Sequence, residues 1–372
     1  MPTSSKVLVI GGGIAGVSTC SGLRKYESNQ DVEIILVEPK DHVEMFWAAY
    51  RSPFDAKTAE GSLFSLEKFC TKHSIQHLQT TVTQLSTTSA TLENGQVIEF
   101  DMAVLATGAS MPWDGFGRGL TAASKTRQER LEMLKREGNR LLSSETVVIG
   151  GGGLVGSELA SDLATFSRNA NRSVRVILVH SGDYLCHHEM NPKAGKMLQE
   201  KMEKLGIRVI LNEKLIKNDE GKMVLENSGE LIEADQFIMT TGVEPMNSFV
   251  DPGFLNDKGW IEVDEYFQVK GAEGKLFAMG DCCTGLPNAG WLLIQNSKTI
   301  GWNISAILSA RRKKKKPRLT KCSHPADVYI CTIGTEDGVA STPMCASACF
   351  LPWLKNRTMF LFEPRWQLGL ES

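Results

Sequence analysis

Val7-Leu8-Val9-Ile10-Gly11-Gly12-Gly13-Ile14-Ala15-Gly16, and then Val32-Glu33-Ile34-Ile35-Leu36-Val37-Glu38, is the stretch that decides the fold. Two apolar runs flank a glycine turn, and the second run closes on an acid. The pattern predicts strand, turn, helix, strand. Gly11 permits the tight turn, Gly13 lets backbone approach a pyrophosphate, and Gly16 lets the helix pack closely on the sheet. The free N–H groups and dipole at the helix N-terminus attract the anion. Glu38, 22 residues after Gly16, is placed to accept hydrogen bonds from an adenosine ribose. Such a turn can also join any βα unit, but the flanking strands and the acid favour a bound dinucleotide.

The pattern recurs. Thr146-Val147-Val148-Ile149-Gly150 reads as a strand, Gly151-Gly152-Gly153-Leu154-Val155-Gly156 as the glycine turn, Ser157 to Phe166 as a helix, and Val174 to Val179 as the second strand. Gly153 lies 140 residues after Gly13, a spacing that suits one dinucleotide-binding domain inserted within another. The second unit closes on His180 where the first closes on Glu38. An acid there would favour NADH by bonding the ribose hydroxyls and repelling a 2′-phosphate. Histidine removes that repulsion without a fixed positive charge, which predicts use of either NADH or NADPH; a surface histidine ending a strand is the bland reading.

Two further strands end at small-residue turns that let backbone pass close to a dinucleotide: Asp101 to Ala106-Thr107-Gly108, and Ala234 to Thr240-Thr241-Gly242. Between residues 78 and 105 the pattern predicts strands Leu78 to Leu85, Ala90 to Leu92, Val97 to Phe100 and Met102 to Leu105, and Ser124 to Leu142 reads as a charged helix. Lys275 to Gly280-Asp281 is a strand ending in Gly-Asp. Asp281 reads as a partner of a ribityl chain and pyrophosphate, or as the cap of a following helix, about Ala289 to Ala310. Glu158, just after the second glycine turn, is read as a first-turn carboxylate on the helix dipole or as a group near a nicotinamide. Phe46, Trp47 and Tyr50 read as core, or as a wall beside a ring system with Arg51 on a cofactor phosphate or ring oxygen.

At 372 residues and 42% hydrophobic content the chain has ample material for two to three folded domains. Lysine plus arginine number 41 against 43 acids, so no global field recruits nucleic acid or anionic membrane. Nine cysteines without regular spacing argue for reduced thiols and a cytoplasmic location rather than a secreted disulfide framework. The adjacent Cys282 and Cys283 suit buried thiols, Cys345 and Cys349 lack further ligands at zinc spacing, and no metal is implied. The opening residues leave no room for a signal peptide, and Pro2 is incompatible with N-myristoylation. Gly338 to Leu354 is uncharged but too short to span a bilayer, so no transmembrane segment is expected. Arg311 to Arg318 concentrates seven cations, leaving −9 on the rest of the chain. It reads as a solvated linker, or as a local peripheral contact with anionic membrane or nucleic acid. Residues 319–372 contain a strand Asp327 to Ile333 and a turn at Asp337-Gly338, with Phe350, Trp353 and Phe360 available to line an apolar entry.

With these motifs in hand, the chain resembles the apoptosis-inducing-factor-like group of pyridine nucleotide oxidoreductases, which includes ferroptosis suppressor proteins. Gly11 to Gly16, Trp47 to Ser52, Leu105 to Gly108, Gly151 to Glu158, Val179-His180-Ser181, Phe277 to Asp281 and Lys355 to Phe360 carry the likeness. The absence of a cysteine pair near residues 39–52 fits it. The resemblance implies an α/β fold with two Rossmann-like domains: FAD-binding over 1–122 and 246–318, NAD(P)H-binding over 123–245, and a small C-terminal α+β module over 319–372. It implies FAD held by Gly11, Gly13, Ala15, Gly16, Glu38, Lys40, Arg51, Val82, Ala106, Thr107, Gly108 and Asp281, and NAD(P)H held by Gly151, Gly153, Gly156, Glu158, His180 and Gly242. Hydride would pass to the flavin and electrons to a quinone-type acceptor such as ubiquinone, with Glu158, Lys355 and Phe360 nearest the chemistry. Two other outcomes keep the same motifs: a reductase of a small electron-carrier protein, and an NAD(P)H-responsive sensor or death-signalling protein that binds nucleic acid or partners through the basic run.

Overall fold

The computed structural model describes residues 4–111, 124–285, 290–323, 328–342, 346–347, 350–361 and 368. Ser5–Ile10 lies at the centre of a five-stranded parallel sheet in the order Leu276–Ala278, Met102–Leu105, Ser5–Ile10, Val32–Val37, Gln76–Leu78. Its run is apolar on both faces because both are covered, and Val7, Leu8 and Val9 are fully buried in one core with residues of helices and of an antiparallel sheet. A second parallel sheet repeats the plan with the order Arg208–Ile210, Arg175–Val179, Thr146–Gly150, Gln236–Met239. The strand that completes the first sheet, Leu276–Ala278, follows the whole second sheet in sequence. The chain crosses out and back through one short antiparallel pair, Ala109–Ser110 with Glu244–Pro245. The fold is thus α/β with two Rossmann-like units, the second threaded into the first.

Several element boundaries differ from the sequence expectation, each for a local reason. Leu78 to Leu85 is two strands: Gln76–Leu78 joins the parallel sheet, the Thr80 N–H turns back onto the Leu78 carbonyl, and Val82–Leu85 enters an antiparallel sheet with Ser89–Leu92 and Val97–Glu99. The charged helix starts at Arg127, because the Thr126 hydroxyl and the Glu129 carboxylate cap one another's backbone N–H groups in a capping box. The helix of the second unit spans Leu154–Asn169, longer at both ends than expected. The C-terminal strands Tyr329–Ile333 and Asp337–Ser341 pair with Ile333 opposite Asp337, so the turn is Gly334-Thr335-Glu336 and not Asp337-Gly338. Gly334 has φ +54°, while Gly338 lies where a β-carbon would meet Pro352 at 2.6 Å. Asp327, Ala289, Cys345 and Cys349 fall outside the described residues.

Helix Ile14–Arg24 packs along helix Gly290–Arg312. The basic run is exposed along its whole length, as a solvated stretch should be. It caps the second of these helices, and the chain then returns along it, with Asn303 bonding both backbone groups of Thr320 and Asn296 both of Ser323. Among the described residues, no helix is long and apolar enough to cross a membrane.

Arg130, 1% exposed, forms a fork onto the Glu44 carboxylate at 2.8–3.1 Å. Burial alone would raise the Glu44 carboxyl, but Arg130 outweighs it and holds the group below its ordinary range. Arg130→Ala leaves that carboxylate buried without its partner. Urea unfolding of the variant is expected to show a loss of about 3–5 kcal/mol.

Candidate functional site

A cleft of about 390 Å³ opens at the C-terminal ends of the first sheet's strands. Gly11, Gly13, Ala15, Glu38, Lys40, Val82, Ala106, Thr107, Gly108 and Asp281 all line it. These residues come from chain segments up to 270 positions apart, and the doubly wound topology gathers them at one sheet edge. Gly11 has φ +104°, and a β-carbon there would lie 2.3 Å from the Ala106 carbonyl oxygen. Gly16 sits below the cleft rather than in its lining, with the helix backbone pressed on the turn. Gly13 caps the N-terminus of Ile14–Arg24 without a side-chain cap, and a β-carbon on it would meet nothing within 4 Å. Open space therefore stands in front of free helix N–H groups. The Glu38 carboxylate accepts from the Gly12 N–H at 2.6 Å and the Lys40 N–H at 3.0 Å, which fixes it at the cleft rim with lone pairs to spare. Asp281 lies nine residues before helix Gly290–Arg312 in sequence, and it lines the cleft.

The cleft fits a dinucleotide by its backbone and by its polar groups. The Thr107 hydroxyl oxygen is buried and has no hydrogen-bond partner among the described residues, at a position where a bound polar group would satisfy it. Sequence reasoning did not pick out Ser124, Lys125, Met246, Phe249 or Leu293, which also line the wall. Phe46 also belongs to the cleft, whereas Tyr50 is core. No periodic or glycine signal marks these residues, because their loops are brought in by the second unit and by the long helix.

The second glycine turn has the same construction. Gly151 has φ +114°, and a β-carbon on Gly156 would lie 1.8 Å from the Gly151 carbonyl oxygen. Gly242 has φ +80° and is exposed beyond strand Gln236–Met239. Gly153 caps helix Leu154–Asn169 with no side chain. His180 takes over Glu38's part: its Nδ1 accepts from the Gly152 N–H at 3.1 Å. A backbone N–H can only donate, so Nδ1 is bare and the His180 proton is on Nε2, which donates to His187 Nδ1 at 2.8 Å. Burial first, then His187, lowers His180 to about 4, so the ring is neutral near pH 7.

Two expectations for single residues are corrected. Arg51 does not line the cleft. Its guanidinium is spent on the buried Asp162 carboxylate at 2.9 and 3.1 Å, on the Gly334 carbonyl at 2.6 Å and on Asn356. Glu158 is not in the first turn, because its helix already begins at Leu154. Its carboxylate is buried and accepts from the Thr332 N–H and hydroxyl, each at 2.8 Å, and from Lys355 Nζ at 2.6 Å. Lys355 also donates to the Ile330 carbonyl and lies 5.7 Å from the Tyr50 ring centroid. The structure thus brings Glu158 and Lys355 together where the C-terminal module meets the second unit. Phe360, five residues beyond Lys355 and half-buried, does not line the cleft; it has φ +48°, next to Met359 at φ +47°. The Met359 carbonyl accepts from the Trp47 indole N–H at 2.9 Å. Trp353 is exposed beneath the Arg357 guanidinium, and Phe350's side chain is outside the description. Asp162 was missed by the sequence reading although its spacing, one turn after Glu158, puts both acids on one helix face.

The family model described as pyridine nucleotide-disulphide oxidoreductase matches residues 5–301. The chain belongs to that family. It is a flavin- and NAD(P)H-dependent oxidoreductase of the apoptosis-inducing-factor and ferroptosis-suppressor-like type. Apoptosis-inducing factor homolog B of Dictyostelium discoideum is 25% identical over 96% of this chain and 95% of its own. Ferroptosis suppressor protein 1 of Xenopus tropicalis is 23% identical over 98% and 96%. The sulfide:quinone oxidoreductase of Aquifex aeolicus superposes with a TM-score of 0.75 at 18% identity, covering 98% of this chain and 92% of that one. NDH2 of Plasmodium falciparum, solved with NADH, superposes at 0.71 and 14% over 99% and 97%.

A histidine held below its unfolded value near 6.5 contributes stability that is complete above that pH and is lost as the pH falls toward about 4. Urea midpoints measured across that window should fall more steeply for the wild type than for His180→Gln, whose amide can still accept from Gly152.

Proposed function

We propose that this chain is an FAD-dependent NAD(P)H:quinone oxidoreductase, with FAD in the domain formed by 1–122 and 246–318, NAD(P)H in 123–245, and 319–372 docked across both. The observation that carries this reading is the doubled glycine turn with open space before Gly13 and, in the same cleft, a Thr107 hydroxyl without a partner among the described residues. A quinone acceptor is favoured by the family relatives and by the fold shared with a sulfide:quinone oxidoreductase. FAD, when bound, would accept hydride from NAD(P)H and supply electrons to the acceptor.

The protein's own part is binding and orientation. The N–H groups beyond Gly11 and Gly13 would hold the pyrophosphate, Glu38 the adenosine ribose, and Ala106 to Gly108 with Asp281 the middle of the cofactor. Gly151 to Gly156 would hold the nicotinamide dinucleotide in the same way. His180, neutral, neither repels nor attracts a 2′-phosphate strongly, which fits use of both nicotinamide cofactors. Glu158 fixes Lys355 Nζ by a charge-assisted bond, and Arg51 with Asp162 fastens the segment that carries it.

Stopped-flow absorbance tests the reading. Purified protein mixed with NADH or NADPH should bleach its flavin band, and a short-chain ubiquinone analogue should restore it; a band reduced once and not restored would reject the quinone reductase. The kcat/KM values for NADH and NADPH should agree within a hundredfold, about 2.7 kcal/mol. Gly13 and Gly11 separate ligand fit from folding. Gly13 has φ −69°, so Gly13→Ala should unfold within about 0.5 kcal/mol of wild type yet retain far less flavin. Gly11→Ala, whose β-carbon meets the Ala106 carbonyl, should lose both.

A further inference from the structure

Helices Ile14–Arg24 and Gly290–Arg312 cross on two glycines. A β-carbon on Gly22 would lie 2.7 Å from Lys298 Cα, and one on Gly301 would lie 2.5 Å from the Leu23 nitrogen. This close approach brings Tyr26, just past the first helix, against Trp302 of the second. The rings meet edge to face with centroids 4.8 Å apart, yet remain 45% and 41% exposed. Lys25 lies 5.8 Å from the Tyr26 ring centroid. Along the outer face of the second helix, Trp302, Ala306, Ser309 and Lys313 succeed one another at helical spacing, and Gly290–Arg312 contains no acid.

The cations at the end of this face are held in place. Glu27, 5% exposed, accepts from Ser305 at 2.6 Å and from Arg312 at 2.9 and 3.0 Å, which fastens the last turn. The N–H groups of Lys313, Lys314 and Lys315 bond back to Ser309, Arg311 and Ala310. The returning chain is tied by Asn303 and Asn296, both fully buried. Arg311 and Lys313 to Lys316 are therefore displayed, all exposed, on a fixed tip about 16 Å beyond Trp302 at the rise of a helix.

We propose that this surface, the Tyr26–Trp302 pair together with Arg311 and Lys313 to Lys316, seats the protein on an anionic lipid bilayer. Amphipathic rings of this kind settle at headgroup depth, and a lysine cluster is drawn to the negative surface potential. A nucleic acid fits less well, since edge-to-face packing makes the rings one wedge rather than a stacking platform. The proposal goes beyond the oxidoreductase reading and needs neither nicotinamide cofactor nor turnover.

Flotation of the full chain with phosphatidylcholine vesicles, with and without phosphatidylserine, tests it. The wild type should bind the phosphatidylserine vesicles, release with rising salt, and ignore the neutral ones. Trp302→Ser with Tyr26→Ser, and separately Gln in place of Lys313 to Lys316, should each weaken binding by about fivefold or more. All these positions are exposed, so unfolding midpoints should hold; were the aromatic variant not to fold, the lysine variant decides alone. Brominated lipid should quench wild-type fluorescence more than that of Trp302→Phe. Equal binding to neutral vesicles, unchanged binding by the variants, or retention on duplex DNA but not on vesicles overturns the proposal. Since binding is read without NAD(P)H, its failure leaves the oxidoreductase reading standing, and failed turnover leaves this surface standing.

Discussion

A β-carbon at position 16 would sit 1.9 Å from the Gly11 carbonyl oxygen, and the equivalent contact at position 156 is as tight. Helix backbone thus rests directly on the carbonyl of the turn that feeds it, at both nucleotide units. This packing sets where each helix begins relative to its sheet, and so where its unpaired N–H groups point. Shift either helix outward by the width of a methyl group and the N–H groups leave the cleft mouth, the acid or imidazole at the second strand's end loses its backbone partner, and the small-residue turns have nothing to face. The cleft is a consequence of close packing between main chains, which side chains then decorate.

Glu38 and His180 show how one architectural slot takes two chemistries. Both end the second strand of their unit, and both accept from the middle glycine's N–H. The carboxylate brings charge to the rim of the cleft. The imidazole meets the same structural demand while staying neutral, and it passes the bond on to His187. Satisfaction of a backbone donor and selection of a ligand are therefore separable functions at this position.

Much of this was legible in the sequence because the evidence was local. Glycine spacing, apolar runs and the terminal acid act over a few dozen residues, and they located both sheets and most of the cleft wall. Arg51 was misread because its partner, Asp162, is 111 positions away, and a cation beside an aromatic cluster looks the same whether it meets a phosphate or a buried acid. The Glu158–Lys355 pair joins positions 197 apart; the second glycine turn singled out Glu158 and likeness to a family Lys355, but neither revealed their hydrogen bond. The basic run was read as a solvated linker, and it is exposed, but composition could not reveal the two buried asparagines that pin the chain returning from it. Asp337-Gly338 has good turn chemistry, yet strand register and the approach of Pro352 placed the turn earlier.

The threaded topology also bears on biosynthesis. Strand Met102–Leu105 acquires its outer neighbour, Leu276–Ala278, only after some 170 further residues have been made. Until then an apolar strand on the nascent chain has an open edge, the kind of surface that recruits other chains. The second unit can meanwhile condense as each of its strands emerges, since all four come from one continuous segment. Asp281, three residues past the closing strand, enters the cleft at the end of this sequence. Completion of the cleft is in this way deferred until the inserted unit has been made, and the first sheet keeps its open edge for as long.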